Sequence, residues 1–200
     1  MMQPLKDLIN TPAKLEHILR GSCVKGATFQ DWYDHRFPLV NAINRSGTIL
    51  DIGCANGFLL RCLVEWSEHT LEPYGIEPDE ALSERCKDLF LDQKDHFATL
   101  PLQRLSQAER VGLPRQYDFV YWCVWDNLFF DNVQFEECLE QAYSAVKESG
   151  RLILGFYDGD IGVIDKKIGW LEINFQRSEG RLDSKTGGEV FVWYDKPAHV

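Results

Sequence analysis

The sequence predicts an α/β protein with a doubly wound, mostly parallel seven-stranded sheet, an antiparallel C-terminal hairpin and N-terminal capping helices. Three observations support this fold class. Short apolar β-type runs alternate with helical patterns from Thr48 to Phe156, and this alternation is typical of βαβ units. Two further β-type runs near the C-terminus flank a polar, glycine-bearing stretch over 178–188, which favours a hairpin. Only helical patterns precede the first strand.

Helical patterns occupy the first 47 residues, and we expect them to form a cap over a domain that spans 48–200. Thr11 and Pro12 are typical of a helix start, because threonine caps the first turn and proline suits the first helical position. Pro38 is expected to end a second helix that begins near Thr28, and a new helix is expected to follow it.

The remaining elements are predicted from apolar periodicity and from the turn residues that bound them. Apolar runs of strand length end at Gly53 and at Pro78, and Gly150 separates a helix from the strand after it. The predicted strands span 48–52, 74–77, 97–102, 117–124, 151–156, 172–176 and 189–195. The predicted helices span 58–66, 79–91, about 132–149 and 160–171.

The composition fits one domain and disfavours several classes of protein. The chain has 200 residues, with 21 Lys+Arg against 31 Asp+Glu and a net charge of −10. We expect no nucleic-acid partner, because that affinity comes from basic groups that neutralise phosphates. No run approaches the roughly 18 apolar residues of a membrane span, and the first residues lack a signal-peptide core. The six cysteines form no C-x-x-C pair, which favours reduced thiols and a cytoplasmic protein.

A glycine loop joins the first predicted strand to the helix after it. The segment Asp51-Ile52-Gly53-Cys54-Ala55-Asn56-Gly57 brings backbone N–H groups together at a helix N-terminus, a position that binds negative or polar ligand groups. Dinucleotides and S-adenosylmethionine both bind at such loops. The dinucleotide fingerprint G-x-G-x-x-G needs glycines where this chain has Ala55 and Phe58, so the spacing disfavours a dinucleotide.

This loop resembles the first motif of the class I S-adenosylmethionine-dependent methyltransferases, in which an acidic residue precedes a glycine-rich loop. The usual middle glycine of that motif is Ala55 here. The resemblance implies that Asp51 holds the cofactor ammonium, directly or through water. It also implies that the loop backbone packs against the methionyl part of the cofactor, through Gly53, Cys54, Ala55, Asn56 and Gly57.

A second acidic position strengthens the resemblance. Glu77 lies 26 residues after Asp51, at the end of the next predicted strand, and the resemblance implies that its carboxylate accepts hydrogen bonds from both ribose hydroxyls. We place Pro78, beside it, in the same predicted cofactor site. The resemblance covers about 48–195, through strand and glycine patterns that are similar to those of the family. It implies a Rossmann-like fold, S-adenosyl-L-methionine as cofactor and S-adenosyl-L-homocysteine as product.

Four further residues are candidates for the methyl-transfer site. Trp125 and Asp126 follow the fourth predicted strand, whose end opens onto the ligand crevice of such a sheet. Trp125 is a candidate cofactor contact, and so is Tyr33 in the aromatic cluster of the cap. His35 and Asp126 are candidates for a catalytic base. Packing in the core is the alternative for the aromatic residues, and a structural role is the alternative for the histidine.

The adenine contact and a metal site have less distinct signals. No acidic residue follows the third predicted strand, where the family has its adenine contact, so Gln103 and Ser106 are both candidates. Asp126 and Asp131 are an alternative as oxygen ligands of a divalent ion. No histidine pair has metal-ligand spacing, and we predict no metal site.

The expected function is methyl transfer to a small-molecule acceptor by in-line displacement. The cofactor's sulfonium is already electrophilic, so the protein mainly aligns the reactants and excludes water. A base is needed only where the nucleophile must lose a proton, and the acceptor atom stays open among O, N, S and C. The alternatives are a protein or RNA acceptor, a nicotinamide-dependent oxidoreductase and a non-catalytic cofactor-binding protein. The oligomeric state is not predicted.

Overall fold

One mixed sheet organises the computed structural model, which describes residues 4–22, 28–124, 129, 133–175, 180–183 and 189–198. Its strands are β1 (Gly47–Ile52), β2 (Leu71–Glu77), β3 (Phe97–Thr99), β4 (Tyr117–Val124), β5 (Val146–Phe156), β6 (Gly180–Asp183) and β7 (Val190–Asp195). They lie in the order β3-β2-β1-β4-β5-β7-β6. The first five strands pair in parallel, and β7 pairs antiparallel with β5 and with β6. The predicted mostly parallel sheet with an antiparallel C-terminal pair is confirmed.

Helices cover both faces of this sheet. They are α1 (Leu5–Leu8), α2 (Pro12–Gly21), α3 (Phe29–Arg36), α4 (Phe58–Trp66), α5 (Glu80–Leu89), α6 (Val133–Ser144) and α7 (Ile161–Asn174), with 3₁₀ turns at Phe37–Ala42, Lys94–His96 and Leu102–Val111. In β4, Phe119 packs in one core cluster and Val120 in the other. Burial on both faces explains why this strand is a continuous apolar run rather than an alternating one. None of the helices in the described ranges is long and apolar enough to cross a membrane.

The N-terminal helices pack against α4. Leu5, Leu19 and Trp32 share a buried cluster with Phe58 at the start of α4. The backbone N–H of Leu5 also donates to the Glu65 carboxylate at 2.9 Å. The predicted start of α2 is confirmed, because the Thr11 side chain accepts from the third helical residue and Pro12 is the first. The cap is therefore attached to the helix that follows the glycine loop.

The predicted strand over 172–176 is wrong, because α7 continues to Asn174. Leu171 and Phe175 are buried while Ile173 is 70% exposed, which is the spacing of a helix with one apolar face. The strand that forms the C-terminal hairpin with β7 is instead β6, Gly180–Asp183. A short apolar run is ambiguous between helix and strand, and here the preceding helix extends through it.

Smaller differences concern element ends. β3 stops at Thr99 rather than at residue 102, and β5 begins at Val146 rather than at residue 151. The pairing of β4 with β5 changes register between Tyr117 and Phe119. α3 ends just before Pro38, as predicted, but the chain continues at once into the 3₁₀ turn.

A charged cluster joins the amino ends of β1, β4 and β5, at the opposite end of these strands from the glycine loop. The carboxylate of Asp118 accepts from the Thr48 backbone N–H at 3.0 Å and from the Lys147 ammonium at 2.8 Å. Arg45 adds a third contact at 3.3 Å. Burial by itself raises the pKa of Asp118, but the hydrogen bonds from Lys147 and Thr48 outweigh it and hold the pKa well below its ordinary value.

We expect Asp118→Asn to lower the free energy of unfolding at pH 7 by about 1–3 kcal/mol, because it weakens charge-assisted hydrogen bonds between three strands. A depressed carboxyl pKa stabilises the fold above the unfolded pKa, and this contribution is lost as pH falls toward the folded value. The difference between the two proteins should therefore narrow below about pH 4. Urea unfolding at several pH values measures it. The exposed Asp88→Asn is the control, and an equal loss in both variants would contradict the assignment.

Candidate functional site

A cavity of ≈ 350 Å³ opens at the carboxyl ends of the parallel strands. Its volume lies in the range of small-molecule sites, roughly 300–1,000 Å³. It is lined by residues from β1, β2 and β4, from the segments just after β2 and β5, from the glycine loop, from α4 and from the cap: Ser22, Trp32, Arg36, Asp51, Gly53, Cys54, Ala55, Leu59, Glu77, Pro78, Tyr121, Cys123 and Tyr157. β1 lies between β2 and β4, and the reversal of strand order there opens the crevice.

The glycine loop turns sharply between β1 and α4 and is fixed to β2. Gly53 and Gly57 both have a φ of 75°, and Ala55 has a φ of 51°. The backbone N–H groups of Gly53 and Cys54 both donate to the Ile76 carbonyl, at 2.8 and 3.1 Å. Ala55, the residue that replaces the family's middle glycine, thus adopts the left-handed conformation that glycine favours. The turn therefore forms here without a glycine at position 55.

The back of the loop packs against α5 and α2. A Cβ atom on Gly57 would lie 3.1 Å from the Cys86 sulfur, and that thiol donates to the Ala55 carbonyl at 3.1 Å. The Asn56 side chain accepts from the Phe58 N–H at 3.2 Å and donates to the Ile18 carbonyl at 2.8 Å. Asn56 therefore accepts from the first N–H of α4 and ties the loop to the N-terminal cap, and neither it nor Gly57 is among the lining residues.

The Glu77 carboxylate is held in place by two backbone donors. Ala55 N–H donates to Oε2 at 2.9 Å, and Asp79 N–H donates to Oε1 at 3.1 Å. Each carboxylate oxygen keeps further acceptor capacity. Glu77 is 7% exposed and lines the cavity, so it presents two oriented acceptors to a ligand.

Asp51 is a buried carboxyl group that faces the cavity. It is 3% exposed. Burial raises its pKa to about 7, the charge of Arg36 lowers it and that of Glu77 raises it, and no hydrogen bond from a described residue contributes. A buried carboxylate without a hydrogen-bond donor is costly, and a cationic ligand group would supply the missing partner.

Among the described residues, Arg36 is the basic side chain that lines the cavity, and the sequence analysis did not identify it. Its Nη1 donates to Glu189 Oε1 at 2.7 Å. The same nitrogen lies 3.2 Å from the Tyr121 hydroxyl and 3.4 Å from the Cys123 sulfur. The Tyr157 ring centroid lies 5.0 Å from the guanidinium. Burial raises the pKa of Glu189 to about 7, and Arg36 lowers it.

Apart from Asn56 and Gly57, the predicted cofactor and catalytic residues fall into three groups in the structure. The cavity is lined by Asp51, Gly53, Cys54, Ala55, Glu77 and Pro78, all from the glycine loop and the ends of β1 and β2. Tyr33 stacks on Phe37 with ring centroids 4.7 Å apart, which indicates packing in the cap, and neither it nor His35 is among the lining residues. Trp125, Asp126 and Asp131 lie outside the described residues.

The candidate adenine contacts lie away from the cavity. Gln103 and Ser106 lie in the 3₁₀ turn after β3, and the backbone of each is hydrogen-bonded to the Gln141 side chain on α6. Neither lines the cavity. Across the residues that the structure describes, no group of three or more His, Cys, Asp and Glu side chains is placed to hold a metal ion.

No protein-family model and no curated protein matches the sequence, but solved structures share its fold. The N-methyltransferase NodS from Bradyrhizobium japonicum, in complex with S-adenosylhomocysteine, has a TM-score of 0.61 and 12% identity over 92% of this chain and 98% of that one. A TehB-like methyltransferase from Corynebacterium glutamicum has a TM-score of 0.61 and 19% identity over 93% and 100% of the two chains.

An O-methyltransferase family protein from Burkholderia thailandensis is also similar, with a TM-score of 0.61 and 13% identity over 86% of this chain and 59% of that one. All three identities are low, so these similarities concern the fold. The chain has the fold of class I S-adenosylmethionine-dependent methyltransferases, as the resemblance of its glycine loop predicts.

We expect Gly57→Ala to destabilise the protein more than Gly112→Ala, although both glycines have positive φ. The left-handed conformation costs roughly 1–2 kcal/mol in either variant. A Cβ on Gly57 must also displace the Cys86 sulfur, whereas one on Gly112 meets nothing within 4 Å. Urea unfolding of both variants measures the difference, and equal losses would refute the packing of α5 on the loop.

Proposed function

We propose that this protein transfers a methyl group from S-adenosylmethionine to a small-molecule acceptor. The observation that carries the proposal is the Asp51 carboxyl, which is buried, lacks a hydrogen-bond donor among the described residues and faces the cavity. It lies in a fold that this chain shares with methyltransferases. A ligand with a cationic group beside a sugar diol suits Asp51 together with the oriented oxygens of Glu77.

The cavity charges match the two ends of an amino acid group. In the proposed complex Asp51 accepts from the cofactor's ammonium, and Arg36 donates to its carboxylate. Glu77 accepts from the two ribose hydroxyls, because its carboxylate is already oriented by Ala55 and Asp79. Gly53 lines the cavity, and a Cβ atom added to it would meet nothing within 4 Å. The loop backbone can therefore lie close to the methionyl chain.

The residues present favour catalysis by alignment and water exclusion. The bound cofactor supplies an electrophilic methyl group on its sulfonium. The chain holds the cofactor's amino acid end between Asp51 and Arg36 and its ribose at Glu77, which fixes the direction in which an acceptor must approach. Trp32 is 2% exposed and lines the cavity, so the cap limits access of water.

A small acceptor is favoured by the same cover. Trp32 and Ser22 of the cap line the cavity together with the strand ends, and its volume of ≈ 350 Å³ is that of a small-molecule site. The net charge of −10 disfavours an RNA acceptor.

We expect S-adenosylmethionine and S-adenosylhomocysteine to raise the melting temperature, and NAD to leave it unchanged. A ligand at a hundred times its Kd stabilises a protein by about 2.7 kcal/mol, which corresponds to about 5–10 °C for a domain of this size. Thermal-shift assays with the three ligands measure this. Stabilisation by NAD alone would refute the proposal. A screen for transfer of a labelled methyl group to small molecules then tests the acceptor class.

Affinity for S-adenosylhomocysteine should increase as pH rises through about 7, since the pKa of Asp51 is about 7 and only the ionised carboxylate pairs with an ammonium. Below that pH Asp51 is protonated and its charge is lost. We expect Asp51→Asn to weaken binding roughly ten- to hundredfold at pH 8 and to reduce the pH dependence. Calorimetry at pH 6, 7 and 8 measures both effects. An unchanged profile in the variant would show that Asp51 does not hold the ammonium.

A further inference from the structure

We propose that Glu189 is a positioning residue that holds Arg36 in the orientation needed to bind the cofactor carboxylate. This inference rests on the proposed function and adds to it a residue from the C-terminal hairpin. Glu189 immediately precedes β7, and it is 2% exposed. It is not among the residues that line the cavity, so it acts through Arg36 rather than on a ligand.

The described residues accept hydrogen bonds from only one part of the Arg36 guanidinium. Its hydrogen bonds to described residues all leave from Nη1, towards Glu189, Tyr121 and Cys123. The edge formed by Nε and Nη2 donates to none of the described residues. Two parallel N–H groups on such an edge match the two oxygens of a carboxylate. Since Arg36 lines the cavity, this edge is the one available to a ligand.

The ion pair with Glu189 is short and almost fully buried. The Nη1 to Oε1 distance is 2.7 Å, and the two side chains are 12% and 2% exposed. The Tyr157 ring covers a face of the guanidinium, with its centroid 5.0 Å from the central carbon. Removing one partner of such a pair leaves an uncompensated charge. Glu189 therefore determines the position of the Arg36 guanidinium.

Asp51 is the competing partner for Arg36. Its carboxyl group lines the cavity, and the charge of Arg36 lowers its pKa although the two side chains share no hydrogen bond. Without the charge of Glu189, the long arginine side chain can turn towards Asp51, and the two groups that should hold the two ends of the ligand would then neutralise each other. Glu189 thus keeps the anionic and cationic parts of the site apart.

The test compares two ligands on two single variants and their double variant. Calorimetry measures the affinity of wild type, Glu189→Gln, Arg36→Ala and the double variant for S-adenosylhomocysteine. The second ligand is 5′-methylthioadenosine, which lacks the amino acid end. Glu172→Gln, on the exposed face of α7, is the matched control.

We expect Glu189→Gln to weaken S-adenosylhomocysteine binding roughly ten- to hundredfold, as loss of a charge-assisted contact does. Binding of 5′-methylthioadenosine should change less than twofold, which also shows that the variant is folded. The double variant should bind S-adenosylhomocysteine no more weakly than Arg36→Ala alone, because Glu189 acts through that residue. Glu172→Gln should bind both ligands like wild type.

Three results would overturn the inference. Wild-type affinity for S-adenosylhomocysteine in Glu189→Gln would show that the pair does not matter. Equal weakening for both ligands would show a general structural role. An additional loss in the double variant would show that Glu189 acts independently of Arg36. A wild-type protein that binds neither ligand would instead refute the proposed function, so the two failures are distinguishable.

Discussion

The position of β1 between two parallel neighbours is the constraint on which the site depends. β1 pairs with β2 on one side and with β4 on the other, and the chain changes direction along the sheet at this strand. The register places Asp51 opposite Gly75 and Tyr121, so the side chains of Asp51 and Tyr121 lie on the same face. Three parts of the cavity wall follow from that pairing: the loop after β1, the carboxylate at the end of β2 and the phenol on β4.

The buried charged groups around the cavity have a cost in stability. Asp51 and Glu189 are both buried carboxyl groups whose pKa is raised to about 7, and Arg36 acts on both. A core optimised for stability alone would replace such groups with apolar side chains of similar volume. The Asp118 cluster at the amino ends of the strands shows the contrasting arrangement. There, strong hydrogen-bond donors lower the pKa of a carboxylate and connect neighbouring strands.

Local features of the sequence predicted most of this fold. The features that the sequence did not predict depend on long-range contacts. The glycine loop and Glu77 were predictable because each is a short pattern at a strand end. The strand predicted over 172–176 was wrong because a short apolar segment does not distinguish a helix from a strand. No local pattern connects Arg36 with Glu189. The aromatic cluster around Tyr33 was equally ambiguous, since packing and ligand contact use the same residue types.

The 153 positions between Arg36 and Glu189 have a consequence for the order in which the molecule is built. The ribosome synthesises the residues of β1, the glycine loop and β2 long before it adds Glu189. Until the final hairpin docks, Arg36 lacks its buried counter-charge. If Glu189 positions Arg36 as we propose, only a chain whose sheet has been completed can bind the cofactor carboxylate.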